Sequence, residues 1–485
     1  MTRTSCRALG HLLCLGAVAA VPSSLIAQDP KARVSDAVER AHAAFSETAL
    51  RIWDLAEVGY QERESSALLQ RHLRDAGFQV QSGAANIPTA FVATYGQGGP
   101  VLGILAEFDA LPGITQDAVA ERKPLPAKGA GHACGHHLFG AGSVAAAVAV
   151  KQWLAQAGRP GTIRVYGTPA EEGGGGKVYM TRAGLFDDVD VVLHWHAGDR
   201  NIASASSSLA NMSGKFRFHG LSAHASAAPD RGRSALDGVE AMNAMVNMMR
   251  EHVPQASRIH YVITKGGEAP NVVPDFAEVY YYARHPDPEQ VRSIYARIGK
   301  AAEGAALGTE TRVEHELING VYAILPNEAL AKAMHANLTR VGGVAYTEQE
   351  RAFAASIRET LGSDAPPLET AANIEDFGYE RPGSGSTDVG DVSWVVATVG
   401  LRTATWVPGT PAHSWQAVAA GGTTIGLKGM QVAAKTLAMT AVDLFTRPAL
   451  LSEAKAEFER RRGPGFRYVS LVGDRPPPLD YRNTP

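Results

Sequence analysis

Side chains that could bind a cation or act as a nucleophile are concentrated in residues 131–137, which read GHACGHH. Within this motif Cys134 and His136 are two residues apart and can reach a common point. An alanine-rich run of helical character begins at Leu138, and the dipole of such a helix is expected to lower the pKa of the preceding Cys134 thiol. A single Cys-x-His pair is weak support for a metal site, so the other polar motifs decide its interpretation.

Three further segments place polar side chains directly after an apolar run that is typical of a strand. The strands are predicted at residues 101–106, 162–167 and 189–193. The side chains that follow them are Glu107 and Asp109, Glu171 and Glu172, and His194 and His196. Because the carboxyl ends of parallel strands meet at one edge of a sheet, we expect these groups to converge with Cys134.

A thiolate, imidazoles and carboxylates around an open position describe a catalytic site for a divalent metal ion. Of two adjacent glutamates such as Glu171 and Glu172, one can ligate while the other acts as a general base for water. The four glycines at residues 173–176 allow the backbone to approach the site closely. Taken alone, the glutamate pair is equally consistent with a solvated loop.

An α/β fold must position these residues. Strands alternate with helices in the first part of the chain, which predicts a mainly parallel sheet covered on both faces. The middle of the chain instead has the order βαββαβ, typical of a small ferredoxin-like domain. We therefore predict a catalytic domain in two parts, residues 28–208 and 326–485 with a C-terminal tail, separated by an inserted domain of residues 209–325.

Composition excludes several classes of protein. The 485 residues include 46 Lys+Arg and 49 Asp+Glu, a formal net charge of -3, so there is no basic field to hold nucleic acid. Residues 1–27 have a positive start, a short apolar run and small residues, the pattern of a secretory signal peptide. We expect an exported protein, periplasmic or secreted, with no membrane span after removal of this segment. Of the three cysteines Cys134 alone would then remain, which rules out a disulfide scaffold.

Five motifs in chain order resemble the M20 family of metallopeptidases and amidohydrolases. They are AEFDALP (106–112), GHACGHHLFG (131–140), TPAEEGGGG (168–176), GLSAHASAAP (220–229) and PAHSWQ (411–416). The resemblance is strongest to the branch that contains the B-type subunit of aminobenzoyl-glutamate hydrolase. It implies an α/β metallohydrolase domain with an inserted lid and dimerisation domain.

The resemblance also implies roles for individual residues. The metal ligands would be Cys134, His136, Glu172, His196 and His413. Glu171 would be the general base, and Asp109 would lie beside the metal and orient the ligands. His194 remains a rival to His196, and Glu107 stands where other branches have a ligand histidine, so its binding is not assumed.

In the inserted domain, the resemblance assigns His224 to the active site of a partner subunit, where it would polarise the scissile carbonyl. Asn271 and Arg284 would hold the substrate's carboxylate or the tetrahedral oxygen. Asp388 and Asp391, in the motif GSTDVGDVSW, could orient ligands or cap a helix, and both interpretations stay open.

The expected function is hydrolysis of the amide bond of an N-acyl or N-aroyl amino acid by a homodimer with two divalent ions, Zn²⁺ or Mn²⁺, per subunit. Aminobenzoyl-glutamate is the best single substrate by resemblance, and a dipeptide is the next. Two other functions stay open. One is a hydrolase with Cys134 as nucleophile, assisted by His136 or His132. The other is a non-catalytic periplasmic protein that binds a metal or a small ligand.

Overall fold

The protein is described by a computed structural model that covers residues 1–2, 29–378, 383 and 385–482. The predicted signal segment, residues 1–27, lies outside these described residues apart from its first two. Within them, the chain builds two main hydrophobic cores, each on its own sheet. The larger core belongs to the catalytic domain, and the smaller to the inserted domain, here called the lid.

The first part of the catalytic domain contains, in chain order, α1 (Pro30–Leu55), α2 (Arg63–Asp75), β1 (Gln79–Ser82), β2 (Phe91–Gln97), β3 (Val101–Ala106), β4 (Leu111–Pro112), β5 (Ala130–Gly131), α3 (His136–Ala157), β6 (Gly161–Gly167), α4 (Gly176–Arg182) and β7 (Val191–Gly198). Apolar residues recur at helical spacing over residues 35–76, which predicts helical character there but does not place a break. The helix ends at Leu55, because Ala56 adopts a left-handed φ of 46° and the turn that follows pairs Val58 with Ala110.

The lid contains β8 (Ala210–His219), α5 (Ala235–Met249), β9 (Arg258–Lys265), β10 (Phe276–His285), α6 (Pro288–Gly308) and β11 (Arg312–Val321). Its strands are antiparallel, in the order β11-β8-β10-β9. Alternate residues of β8 and β10, among them Phe216, Phe218, Val279 and Tyr281, are buried in the core that the two helices cover. The predicted βαββαβ order is confirmed.

After the lid the chain returns to the catalytic domain with α7 (Glu328–Val341), α8 (Glu348–Glu359), α9 (Val389–Ser393), β12 (Ala397–Ala404), α10 (Trp415–Gly421), α11 (Thr424–Thr446) and α12 (Pro448–Arg462). The larger sheet has the order β1-β2-β6-β3-β7-β12, so a strand from late in the chain completes it. The strands β6, β3, β7 and β12 are parallel to their neighbours in this set, whereas β1 and β2 form an antiparallel edge.

Burial explains why the central strands appear in the sequence as apolar runs. In β3 every residue after Val101 is buried, which requires cover on both faces of the sheet. The helix α3 supplies much of this cover, and it contacts β3, β6 and β7. Among the described residues α3 is the one helix long and apolar enough to cross a membrane, but 83% of the relevant window is buried inside the protein, as in a core helix.

Candidate metal centre and active site

The polar residues that follow the parallel strands meet at one edge of the larger sheet. Asp109 follows β3, and Glu171 and Glu172 follow β6. His196 lies near the end of β7, where its backbone is paired with Arg402 of β12. The residues just before α3 join the same edge, as expected for ligands that gather beyond the carboxyl ends of parallel strands.

Three overlapping groups of possible ligands lie there, and within each group the ligand atoms are all within 4.8 Å of one another. The groups are Cys134, His136 and His196; Cys134, Glu172 and His413; and His136, Glu171 and Glu172. The Cys134 Sγ is 3.4 Å from the His196 Nε2, and the Glu172 Oε1 is 3.3 Å from the His413 Nε2. The structure thus brings together all five predicted ligands and the predicted base.

Asp109 connects two of these residues. One of its carboxylate oxygens lies 2.9 Å from the Nδ1 of His136, and the other accepts a hydrogen bond of 2.9 Å from the amide of Glu172. Burial alone would disfavour the charged carboxylate, but His136 and the Glu172 amide hold the pKa of Asp109 at about 2. A fixed anion therefore orients the His136 ring through Nδ1 and leaves its Nε2 3.0 Å from the Glu107 Oε2.

His413 arrives from the loop that follows β12. Its backbone adopts a left-handed φ of 59°, which is uncommon for a residue other than glycine. Its amide donates a hydrogen bond of 3.0 Å to the carbonyl of Ala133, the neighbour of Cys134. Backbone strain and a backbone hydrogen bond thus place the half-exposed ring beside Glu172.

The buried carboxylate oxygens test whether a cation fits this site. The Glu107 Oε2 lies 3.0 Å from the His136 Nε2, and the Glu172 Oε1 lies 3.3 Å from the Nε2 of the half-exposed His413. Imidazole is therefore the positive or polar group nearest to each of these buried oxygens. Buried carboxylates need a cation close by, and thiolate, imidazole and carboxylate are together the donor set of a divalent transition metal. The residues fit such an ion.

Burial also shifts the pKa values of the predicted base and of the cysteine ligand. Burial, together with the carboxylates of Glu107 and Glu172, raises the pKa of Glu171. Burial and Glu172 also raise the pKa of the Cys134 thiol. The lowering expected from the helix dipole is therefore wrong for the protein chain alone, because loss of solvation outweighs the dipole.

Lys177 is a site residue that sequence reasoning missed. It is fully buried at the start of α4, and its Nζ lies 2.7 Å from the Glu107 Oε1 and 2.7 Å from the Asp388 Oδ1. Its backbone amide donates to the other oxygen of Asp388 at 2.9 Å. Lys177 thus fixes Glu107, whose second oxygen faces His136. Its position directly after the four glycines was the available signal.

The two aspartates of the GSTDVGDVSW motif act differently from either interpretation. Asp388 precedes α9 but makes no side-chain cap, since its carboxylate is bound to Lys177. Asp391 accepts from the Tyr322 amide at 3.0 Å and from the Tyr468 hydroxyl at 2.6 Å. Asp388 therefore acts on the site through Lys177 and Glu107, and Asp391 holds two tyrosines.

The remaining histidines near the motif lie outside the three ligand groups. The His194 ring packs over Gly400, where an added Cβ would be 2.2 Å from its Cε1, so the structure places His196 and not His194 beside Cys134. His132 lies 3.1 Å from the Ile52 carbonyl, and His137 lies 3.0 Å from the Gly421 carbonyl. Both are engaged with backbone.

The lid residues lie in two other places. His224 is exposed, and its Nδ1 accepts from the amides of Ser226 and Ala227 at 3.3 Å and 3.2 Å. Asn271 is exposed beside it, and its carbonyl accepts from Ala225. Neither belongs to a ligand group. With Nδ1 accepting, the ring proton of neutral His224 is on the exposed Nε2, which is free to donate.

Arg284 lies at the far end of β10, against the catalytic domain. Its Nη1 donates to the Ser386 hydroxyl at 3.3 Å, and its guanidinium lies 5.4 Å from the Tyr282 ring centre. The Arg284 Nε is buried without a partner among the described residues. Arg284 therefore lies apart from His224 and Asn271, at the opposite end of β10.

The chain is similar over most of its length to two known enzymes. The chain is 41% identical over 454 residues to the B-type subunit of p-aminobenzoyl-glutamate hydrolase from Escherichia coli (strain K12), covering 88% of this chain and 94% of that protein. It is 30% identical over 449 residues to the Xaa-Arg dipeptidase of Mus musculus, covering 88% and 92%.

A solved structure has the same fold. A dinuclear metal-binding peptidase of the M20 family from Bacillus subtilis matches with a TM-score of 0.56 at 18% identity, covering 84% of this chain and 99% of that one. Residues 103–378 match the model of peptidase family M20/M25/M40. The chain therefore belongs to peptidase family M20/M25/M40 and is a metal-dependent amidohydrolase of that family.

Proposed function

We propose that the protein hydrolyses the amide bond of N-acyl or N-aroyl amino acids at a centre of two divalent metal ions. The observation that carries the proposal is the meeting of five ligand side chains and Glu171 at one edge of the sheet. The identity of 41% to the E. coli p-aminobenzoyl-glutamate hydrolase subunit supports an aroyl-glutamate as the preferred substrate. A dipeptide is the second candidate, supported by the 30% identity to the mouse Xaa-Arg dipeptidase.

The residues that would hold the ions are Cys134, His136, Glu172, His196 and His413. Cys134, His136 and Glu172 each belong to two of the three ligand groups, which favours a pair of ions over a single one. A set of thiolate, imidazole and carboxylate ligands suits Zn²⁺, and Mn²⁺ is the alternative. Bound ions of this kind activate water and polarise a carbonyl oxygen.

Glu171 carries the proton in this proposal. Its carboxylate takes a proton from the attacking water and returns it to the leaving nitrogen, so the C–N bond breaks without expelling an amide anion. A raised pKa suits the first step, because it makes the carboxylate a stronger base toward the attacking water. Burial and the neighbouring carboxylates of Glu107 and Glu172 supply that shift.

Three lid residues would recognise the substrate. The exposed Nε2 of His224 would donate a hydrogen bond to the oxygen of the scissile carbonyl, where negative charge develops. Asn271 and Arg284 would hold the substrate's carboxylate or the tetrahedral oxygen, and the unpartnered Arg284 Nε supports this role. Because His224 bonds only within its own loop, we infer that it serves the active site of a second subunit.

The second subunit would be another copy of the chain, joined through the lid. The edge strand β9 exposes Tyr261, Val262 and Ile263, and α5 exposes Met245 and Met248. An exposed apolar edge strand is a ready template for pairing with an identical edge. The E. coli relative is named as one subunit of a hydrolase, so a different chain is the alternative partner.

Substitution of Ile263 by Arg tests the self-association. Light scattering should report dimers for the wild-type chain and monomers for Ile263→Arg, because a charge would be forced into the paired edge. Leu307→Arg is the matched control, since Leu307 is 84% exposed on α6 and away from β9. A monomeric wild-type protein would contradict the homodimer.

Export is also part of the proposal. The composition of residues 1–27 supports a signal peptide, which would leave Cys134 as the lone cysteine of the mature chain. Fractionation of expressing cells, with sequencing of the mature N-terminus, should find a chain that starts close to Asp29. A full-length cytoplasmic chain would contradict export.

Hydrolysis of a panel of N-acyl amino acids, N-aroyl amino acids and dipeptides by Zn²⁺- and Mn²⁺-reconstituted protein tests the function. We expect aminobenzoyl-glutamate to have the highest kcat/KM and activity to vanish after chelation. Activity that survives complete metal removal would instead support the Cys134 nucleophile. Absence of turnover on the whole panel by fully reconstituted protein would support the non-catalytic binding protein.

A further inference from the structure

The last described segment of the chain, residues 463–482, runs from the end of α12 to the metal centre, and we call it the strap. Its first half is attached to α9. The Phe466 ring packs 4.8 Å from the Trp394 ring, measured between centroids, and the Tyr468 hydroxyl donates to Asp391 at 2.6 Å. The strap is therefore anchored where it leaves the catalytic core.

The middle of the strap joins both domains. The Arg475 guanidinium donates to the carbonyls of Leu317 and Ile318 in β11, the last strand of the lid. In return, Arg182 of α4 donates to the strap carbonyl of Gly473 at 2.6 Å. These contacts fix the strap beside the helix that follows Glu171 and Glu172 in sequence.

The end of the strap reaches the catalytic loop, residues 168–176. The Tyr481 hydroxyl donates to the carbonyl of Glu172 at 3.0 Å, and the Arg482 guanidinium donates to the same oxygen. The Tyr481 ring contacts Tyr60 edge to face at 5.6 Å. Its hydroxyl lies where a side chain of residue 59 would be, 2.2 Å from a Cβ added to Gly59.

The catalytic loop needs such anchors. Ala170, just before the two glutamates, adopts a left-handed φ of 58°, and the glycines that follow offer little resistance to rotation of the backbone. Asp109 accepts from the amide of Glu172, while the strap donates to its carbonyl. Both peptide groups of Glu172 are thereby held, and the direction of its side chain follows from them.

We propose that the strap is a positioning element of the active site, in which Tyr481 and Arg482 hold the Glu172 carbonyl and so aim its carboxylate at the ligand cluster. The proposal rests on the proposed function, since it assumes that Glu172 binds a metal ion. It adds that the strap, and not the catalytic domain core alone, sets the affinity of the metal centre.

The test compares the full chain with the double variant Tyr481→Phe/Arg482→Gln. We expect the Kd for Zn²⁺ to rise and kcat to fall by about tenfold or more, the size typical for loss of a group that orients a metal ligand. Arg358→Gln is the matched control, because Arg358 donates to the carbonyls of Ala365 and Pro366 in a surface loop. It should match the wild type in both values.

Hydrogen exchange on the zinc-free proteins separates the strap proposal from the proposed function. Amides of residues 171–176 should exchange faster in the double variant than in the wild type or in Arg358→Gln. If the wild type binds neither Zn²⁺ nor Mn²⁺, the proposed function fails, and faster exchange still supports the holding role of the strap. Unchanged exchange overturns the proposal, and so does a lower Tm with wild-type Zn²⁺ affinity and kcat.

Discussion

The metal centre and the His224 loop of the lid differ in how their side chains are held. At the metal centre, His136 and Glu172 are both tied to Asp109, and the ligand atoms of each group lie within 4.8 Å of one another. In the lid, His224 and Asn271 are exposed, and His224 is bonded only to its own turn. One region is assembled within a single chain, whereas the other presents a donor outward.

Burial explains the difference between the two regions. At the metal centre, buried carboxylate oxygens of Glu107 and Glu172 face only imidazole nitrogens, and a bound cation would stabilise this concentration of buried negative charge. An exposed histidine needs no such partner, because water satisfies its Nε2. The ligand side chains of the metal centre therefore meet within one chain, whereas the His224 Nε2 stays open to a group from outside its loop.

Glu171→Gln should have the largest effect on activity. It separates the role of the general base from that of the metal ligands. Loss of the general base should lower kcat by about 100-fold to 10,000-fold, while the metal content stays at the wild-type value. Steady-state kinetics and elemental analysis measure the two quantities. Glu359→Gln, on the exposed surface of α8, is the control. Near-normal turnover of Glu171→Gln would show that another group moves the proton.

Lys177→Met tests how much the ion pairs of Lys177 stabilise the buried metal centre. The substitution leaves the carboxylates of Glu107 and Asp388 buried without their cation, and the free energy of unfolding should fall by about 3–5 kcal/mol. Urea denaturation of the two proteins measures the change. Lys332→Met removes an exposed pair with Glu328 and should leave stability unaltered. Equal free energies of unfolding for Lys177→Met and wild type would show that the ion pairs of Lys177 do not stabilise the fold.

Mixing two inactive variants tests whether His224 acts in the active site of a second subunit. His224→Ala should lose about 100-fold in kcat, as expected for one donor to a developing oxyanion. When it is mixed with Glu171→Gln and the subunits exchange, activity should return to about a quarter of the wild-type value, because half of random C₂ dimers are hybrids with one complete site. Assays before and after exchange measure this. If the mixture gains no activity, His224 acts within its own chain or not at all.

Much of the fold could be predicted from the sequence, because the physical signal was local. The strand β3 is an apolar run that is buried on both faces, and the βαββαβ order of the lid follows from the alternation of strand-like and helical segments in the sequence. The break between α1 and α2 could not be predicted, since apolar spacing continues across it and Ala56 takes its left-handed conformation without a glycine to signal it.

The site shows the same division. The ligands lie in short motifs whose residue types are unusual, so they could be named from the sequence. Lys177 could not, because its role depends on Asp388, which is 211 residues away in sequence. The role of the strap could not be predicted either, since hydrogen bonds from side chains such as Tyr481 to distant carbonyls leave no periodic pattern.

The proposed function depends on divalent ions held by five side chains, Cys134, His136, Glu172, His196 and His413. Anomalous diffraction at the zinc edge, from crystals of the Zn²⁺-reconstituted protein, tests it most directly. Two anomalous peaks about 3.5–4 Å apart are expected among these side chains, as in other two-metal sites. A fully loaded protein with no peak beside Cys134, or with its zinc bound elsewhere, would contradict it.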